Sequence, residues 1–350
     1  MGVGVLIILV ALLIWSWSPQ KTSPFLDDNG VIIESSISSI ENININNVDQ
    51  RLVIRGIDTL NPVILQIHGG PGAPDRALYK ATGLNVEDIF TVVYWDQRGS
   101  GGSYNKNLDE STLSLQQIVD DGISITEYLK NRFRKEKIYI QGHSWGTSVG
   151  VSMAQKRPDL FHAYIGIGQM AHSAISEEIS YQYALEEATK AGNDKDVKIL
   201  ESIGPPPYVP EEWIGKMMQQ RLVMWKYENP IYPNNQTMFQ IYMLYIMHSE
   251  YSISDKMGML KGSELCMDYL WDDAMGINFI DSAKDFSIPV FMIQGKYDKH
   301  TVTEVAKVYF DSIAAPMKEY YEFEKAAHAP HFSNYKKYRN IIEEILKKTS

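Results

Sequence analysis

A serine hydroxyl attacks a carbonyl only when a base takes its proton, and that base needs an acid to orient it. Ser144 stands where such chemistry is built, in Gly142-His143-Ser144-Trp145-Gly146. The apolar run Ile138-Tyr139-Ile140 precedes this stretch and Thr147-Ser148-Val149-Gly150-Val151 follows it, so it reads as strand, sharp turn, helix. Glycines on either side of so tight a turn let the two backbones approach and leave the hydroxyl on an exposed, strained corner. The partners should follow in the chain order acid, then histidine. Asp298 lies in Gln294-Gly295-Lys296-Tyr297-Asp298, just past an apolar strand-like run ending at Ile293. A loop at the carboxyl end of a parallel strand faces the ligand crevice. Asp273 competes but falls in a helical stretch, and Asp281 and Asp285 come before the strand. For the base, Ala326-Ala327-His328-Ala329-Pro330-His331 offers two histidines. His328 has small neighbours that permit close approach to Ser144. His331 opens the last helical segment, where a cap or surface role is natural.

Attack on a carbonyl creates an oxyanion, and backbone N–H groups must be in place to receive it. Trp145, the residue after the nucleophile, is one expected donor. The other is expected in His68-Gly69-Gly70-Pro71-Gly72, directly after another strand-like run. Pro71 has no N–H, and Gly70 is the donor favoured over Gly69. Trp95-Asp96-Gln97-Arg98-Gly99-Ser100-Gly101-Gly102-Ser103 reads as a rigid loop bracing the site, with Asp96 and Arg98 as a buried structural ion pair.

The elements that must position these residues follow from hydrophobic pattern. Pro62 to Ile67 and Phe90 to Tyr94 are continuous apolar runs of strand length, as for strands buried on both faces. Strand-like segments are also expected at Val31–Ile40, Ile43–Ile45 and Leu52–Ile57. Leu115, Ile118, Val119, Ile123, Ile125, Leu129 and Phe133 recur at helical spacing. Alternating strands and helices argue for a mostly parallel sheet with helices on both faces. The alternation stops near Gln169, and Ala171 to Phe286 reads as helices and loops broken at Gly204-Pro205-Pro206-Pro207. It resumes at Pro289-Val290-Phe291-Met292-Ile293, with a strand at Lys318–Phe323 and a last helix from Asn334 to Lys348. The expected organisation is an α/β core at 30–170 and 287–350, interrupted by a helical insertion at 171–286.

The formal net charge of −10 disfavours nucleic acid, which calls for a basic stripe. Cys266 is the only cysteine, so no intrachain disulfide forms; a core position is expected for it. Gly2 to Trp17 is uncharged and almost wholly apolar, with Trp15 and Trp17 near its end and Lys21 beyond. It lacks the basic n-region and small-residue cleavage site of a signal peptide. It therefore reads as an uncleaved single-pass membrane anchor, with residues 1–29 as anchor and linker. Sixteen residues of helix nonetheless span only ~24 Å, against a hydrocarbon core of ~30 Å.

The three motifs His68–Gly72, Trp95–Ser103 and Gly142–Gly146 together resemble those of the proline iminopeptidase family of α/β-hydrolase serine peptidases. The similarity in element order covers nearly all of residues 50–350. It implies an eight-stranded sheet, a helical cap at the insertion, and release of an N-terminal residue, often proline, from peptides, without cofactor or metal. Ser144, Asp298 and His328 fall on the family's triad positions. Ala327-His328-Ala329 departs from the family's usual Gly-His-Ser but keeps the base. An aminopeptidase must hold a substrate ammonium, which calls for a carboxylate in the insertion. The insertion offers many acids, including Glu186, Glu187, Glu211, Glu212, Glu228 and Glu250; Trp225-Lys226-Tyr227-Glu228 loosely resembles the family's Trp-Glu element and singles out Glu228 among them. The expected partner is thus a peptide or aminoacyl substrate. An esterase or small-amide hydrolase of the same fold is the first alternative. A non-catalytic binding protein is the second, although no triad residue or oxyanion glycine is missing.

Overall fold

The structure is a computed structural model that describes residues 20–84, 86–208, 212–228 and 238–349. In chain order the elements begin with β1 (Ile37–Ile45), β2 (Val48–Gly56), β3 (Val63–Ile67), α1 (Arg76–Thr82) and β4 (Thr91–Asp96). They continue with α2 (Leu115–Phe133), β5 (Ile138–His143), α3 (Trp145–Lys156) and β6 (Phe161–Ile167). The next elements are all helices: α4 (Ser173–Lys190), α5 (Asp194–Ile203), α6 (Trp213–Tyr227), α7 (Met238–Ile246), α8 (Ile253–Met275) and α9 (Phe279–Ser282). The chain closes with β7 (Val290–Gly295), α10 (Thr303–Ser312), β8 (Lys318–Phe323), α11 (Pro330–Ser333) and α12 (Tyr335–Thr349). The strands form one eight-stranded, mostly parallel sheet in the order β1-β2-β4-β3-β5-β6-β7-β8.

Two compact units divide the chain. The first takes in β1 to β4, α1, α2, β5 as far as Gln141, α7, and α8 as far as Tyr269. Here β1 and β2 pair antiparallel through the two-residue turn Asn46-Asn47, whose φ values of 48° and 65° suit the type I′ hairpin. β2 runs antiparallel to β4, and β3 runs parallel to β4. Every residue of β3 and β4 is buried, which is why their sequences are continuous rather than alternating apolar runs. α2 starts where the Ser114 side chain accepts from Gln117 N–H at 3.2 Å. It buries Ile118, Val119, Ile125 and Leu129 on one face and ends at Arg134, in the left-handed region, with Lys130 and Arg132 in its last turn.

The second unit takes in α3, β6 from His162, α4 to α6, and the chain from Leu270 onward. β6, β7 and β8 are parallel neighbours, with Ile165 opposite Phe291 and Phe291 opposite Glu319. The two ends of the helical stretch are pinned to each other. Ser173 N–H donates to Ile277 O at 2.9 Å and Phe279 N–H donates to Ala171 O at 2.8 Å, around a His172–Asn278 bridge. α5 ends at Ile203, just before the Gly204–Pro207 break.

Three expectations change. The strand expected from Val31 starts only at Ile37, because Asp27 ties off a turn, its side chain accepting from Asn29 N–H at 2.9 Å and Val31 N–H at 2.8 Å. Asp96 and Arg98 are both buried but do not pair. Arg98 makes a two-point ion pair with Asp121, Nε donating at 2.7 Å and Nη2 at 2.9 Å. Asp96 instead accepts from Gly102 N–H at 2.7 Å and Tyr251 Oη at 3.0 Å. The membrane assignment is also corrected. No helix among the described residues is long and apolar enough to cross a membrane. The 2–17 segment lies outside the described residues, and at sixteen residues it falls short of the hydrocarbon thickness. The single-pass anchor and its membrane location are withdrawn.

Candidate active site

β5 delivers the chain to Ser144 and α3 carries it away. Ser144 has φ 53° and ψ −122°, a conformation that costs a non-glycine residue of order 1–3 kcal/mol. The turn is fixed by Ser144 N–H donating to Ile167 O at 2.9 Å and by Thr147 N–H donating to Ser144 O at 2.8 Å. Gly142 is compulsory here: a Cβ on it would lie 2.3 Å from Gly146 O and 2.8 Å from Thr147 N. Trp145 is the first residue of α3.

Asp298 is fully buried in the loop after β7, and its carboxylate is saturated with donors. Oδ1 accepts from His300 N–H at 2.9 Å and Thr301 N–H at 3.0 Å. Oδ2 accepts from Thr301 Oγ1 at 2.8 Å and Gln294 Nε2 at 2.9 Å. His328 Nδ1 lies 3.0 Å from Oδ2 and 3.2 Å from Oδ1. Burial alone would push this carboxyl up. The His328 imidazole and the Thr301 hydrogen bonds outweigh it and hold Asp298 below the usual carboxylate value. An ionised Asp298 can only accept, so the hydrogen of His328 sits on Nδ1 and Nε2 is left as the basic nitrogen.

His328 lies against both flanks of the elbow. The His143 ring stands 5.1 Å from the His328 ring, and His143 Nε2 is 3.1 Å from His328 O. Gly168, next to the Ile167 that holds Ser144 N–H, is so close that a Cβ on it would sit 3.2 Å from His328 Cε1. His300 stacks on His328, centroids 4.8 Å apart. Burial, then the neighbouring His328, pushes the His300 pKa well down, so His300 is a neutral ring against the base. His331 is fully buried rather than on the surface, packed against His143 at 4.8 Å. Sequence reading missed how His143 and His300 flank His328. It also missed Thr301 and Gln294, which fix Asp298, although both lie within four positions of it in the chain.

Glu228 ends α6 and reaches the same loop. Its Oε1 accepts from Lys299 N–H at 3.1 Å, and its Oε2 is buried with no hydrogen-bond partner among the described residues. Burial, and then the charge of Asp298, push Glu228 well above the usual carboxylate value. Nearby, Arg221 is paired with Glu177 and Ser180 Oγ donates to Lys299 O.

In the first unit the two remaining motif loops lock each other. Gln97 N–H donates to His68 Nε2 at 3.1 Å, and Gln97 Nε2 donates to His68 O at 2.8 Å. His68 is buried and pushed down to about 4 by that burial, so it acts as a neutral acceptor. Gly70 is exposed with φ +119°, and a Cβ there would lie 2.6 Å from Gly72 N. Cys266 is a core residue, buried against Arg98 O, and burial pushes its thiol up to about 12.

Comparison with known proteins follows the same lines. Residues 60–190 match the family described as serine aminopeptidase, S33. That match includes Gly70 and Ser144 and stops short of Asp298 and His328. The probable aminopeptidase YbaC of Bacillus subtilis (strain 168) is 31% identical over 313 residues, covering 88% of this chain and 96% of its own. The chain belongs to the proline iminopeptidase-like serine aminopeptidase family. Within that family, the proline iminopeptidase of Heyndrickxia coagulans is 23% identical over 299 residues, 81% of this chain and 90% of its own. The fold is that of the α/β-hydrolases. A proline iminopeptidase-related protein of Thermus thermophilus superposes with a TM-score of 0.64 at 16% identity, covering 89% of this chain and 98% of its own. This member of the family is therefore a hydrolase of aminopeptidase type.

Proposed function

We propose that the protein is a serine aminopeptidase that releases the N-terminal residue of short peptides through an acyl-enzyme, with a preference of the proline iminopeptidase kind. The observation that carries the reading is the saturated, buried Asp298 holding His328 Nδ1 at 3.0 Å, with the His328 ring beside His143, the residue before Ser144. His328 Nε2 takes the Ser144 proton as Oγ bonds to the carbonyl carbon. The N–H groups of Gly70 and Trp145 receive the oxyanion. Collapse breaks the C–N bond, and the leaving amine takes the proton from His328. Water then repeats the sequence and frees the acid. Residues 171–286 serve as the cap over a core of 30–170 and 287–350, supported by the pinned ends of the helical stretch.

Glu228 is assigned to the substrate ammonium. Its support is a buried, unpartnered Oε2 on a side chain tied to the loop that carries Asp298. With its pKa raised, Glu228 holds a proton until a cation arrives, so amine binding strengthens as pH rises and that proton is lost. The test is Glu228→Gln assayed on proline naphthylamide and on an N-blocked ester. KM for the free amine should rise ~10–100-fold, the worth of a charge-assisted hydrogen bond, with the blocked ester unchanged. Equal effects on both substrates would remove Glu228 from this role and favour an esterase.

A further inference from the structure

The second compact unit holds a cavity to whose lining residues the proposed reaction assigns no role. The cavity has a volume of about 370 Å³, and its lining includes Glu177, Glu178, Tyr208, Trp213, Trp271 and Asp272. That volume is within the range of small-ligand sites. One wall is the stacked pair Trp213–Trp271, with ring centroids 4.4 Å apart and planes 2° from parallel. Three carboxylates line the cavity, and among the described residues no lysine or arginine does. Glu178 and Asp272 are exposed at its mouth and make no ion pair among the described residues. Glu177 is deep: its side chain is 8% exposed, one oxygen is held by Arg221, and Oε2 is buried with no hydrogen-bond partner among the described residues. Arg221 answers one oxygen of Glu177, while Glu178, Asp272 and the indole wall leave the lining of the hollow anionic and aromatic.

We propose that this cavity binds a cationic group on an apolar stem, the chemistry shared by arginine and lysine side chains and by free alkylguanidines. The stem lies along the indole wall and the cation meets Glu177, Glu178 and Asp272. The site does not depend on the reaction assigned to Ser144, because binding is read directly.

The test is calorimetric titration of the full chain with agmatine, and with uncharged N-butylurea as control. Agmatine should bind saturably and at least about tenfold more tightly than the urea, as a desolvated cation beside indole and carboxylate requires. Trp271→Ala should weaken it about tenfold, and so should the double variant Glu178→Gln with Asp272→Asn, whose exposed side chains leave folding intact. Glu228→Gln should leave it unchanged. Equal binding of the two probes overturns the proposal. So does loss of agmatine binding in Glu228→Gln with retention in Trp271→Ala, which would place the probe at the amine site. Peptides with arginine or glutamine after the N-terminal proline separate the sources. A lower KM for the arginine peptide, reversed by agmatine, identifies a substrate side chain; equal KM values with agmatine bound identify a free cation.

Discussion

Asp298 does two things with one carboxylate. It fixes the loop through His300 and Thr301, and it fixes the tautomer of His328. Asparagine can keep the backbone contacts through its oxygen but cannot hold Nδ1–H as a carboxylate does. Asp298→Asn should therefore stay folded, with a lowered melting temperature because its amide faces the Gln294 donor, and lose about 10⁴-fold in kcat, the cost of a wrongly oriented base. Loss of less than tenfold, measured on proline naphthylamide, would mean that His328 does not need this partner. The residue types at this site were legible in the sequence because each sits at a strand end: Ser144 after β5, Asp298 after β7, His328 after β8. The surroundings were not legible. His331 looked like a surface cap, yet packing against His143 buries it, and that contact joins positions far apart in the chain.

At the scale of the element, the elbow works because β5 and α3 almost touch. Gly142→Ala would push a methyl to 2.3 Å from Gly146 O, a backbone atom with nowhere to go. The variant should lose about 1–3 kcal/mol in urea unfolding, together with its activity. Unchanged stability would show that the turn can open. Buried strands β3 and β4 were readable as apolar runs, and helix α2 from its spacing. The partners of Asp96 and Arg98 were not, because charge along a sequence says nothing about direction. Arg98 turns to Asp121 on α2.

Across the whole molecule, acidic residues outnumber basic ones by 43 to 33, and several of the acids are buried. Asp75 and Asp96 are each raised to about 7, first by burial. Between the unfolded value near 4 and that folded value, the native state keeps a proton that the unfolded chain has lost. Stability from Asp75 is therefore full at low pH and falls as pH rises, by at most ~1.4 kcal/mol per unit. Asp75→Asn should gain on the wild type in urea unfolding between pH 5 and pH 7.5; a constant difference would contradict the assignment. At this scale the order of elements was legible and the N-terminal anchor was misread, since apolar composition alone does not distinguish a bilayer from other apolar surroundings. Ser144 as the nucleophile of an aminopeptidase stands or falls on kcat/KM of Ser144→Ala for proline naphthylamide. A folded variant should lose at least ~10⁴-fold; turnover like that of the wild type would remove Ser144 from the chemistry.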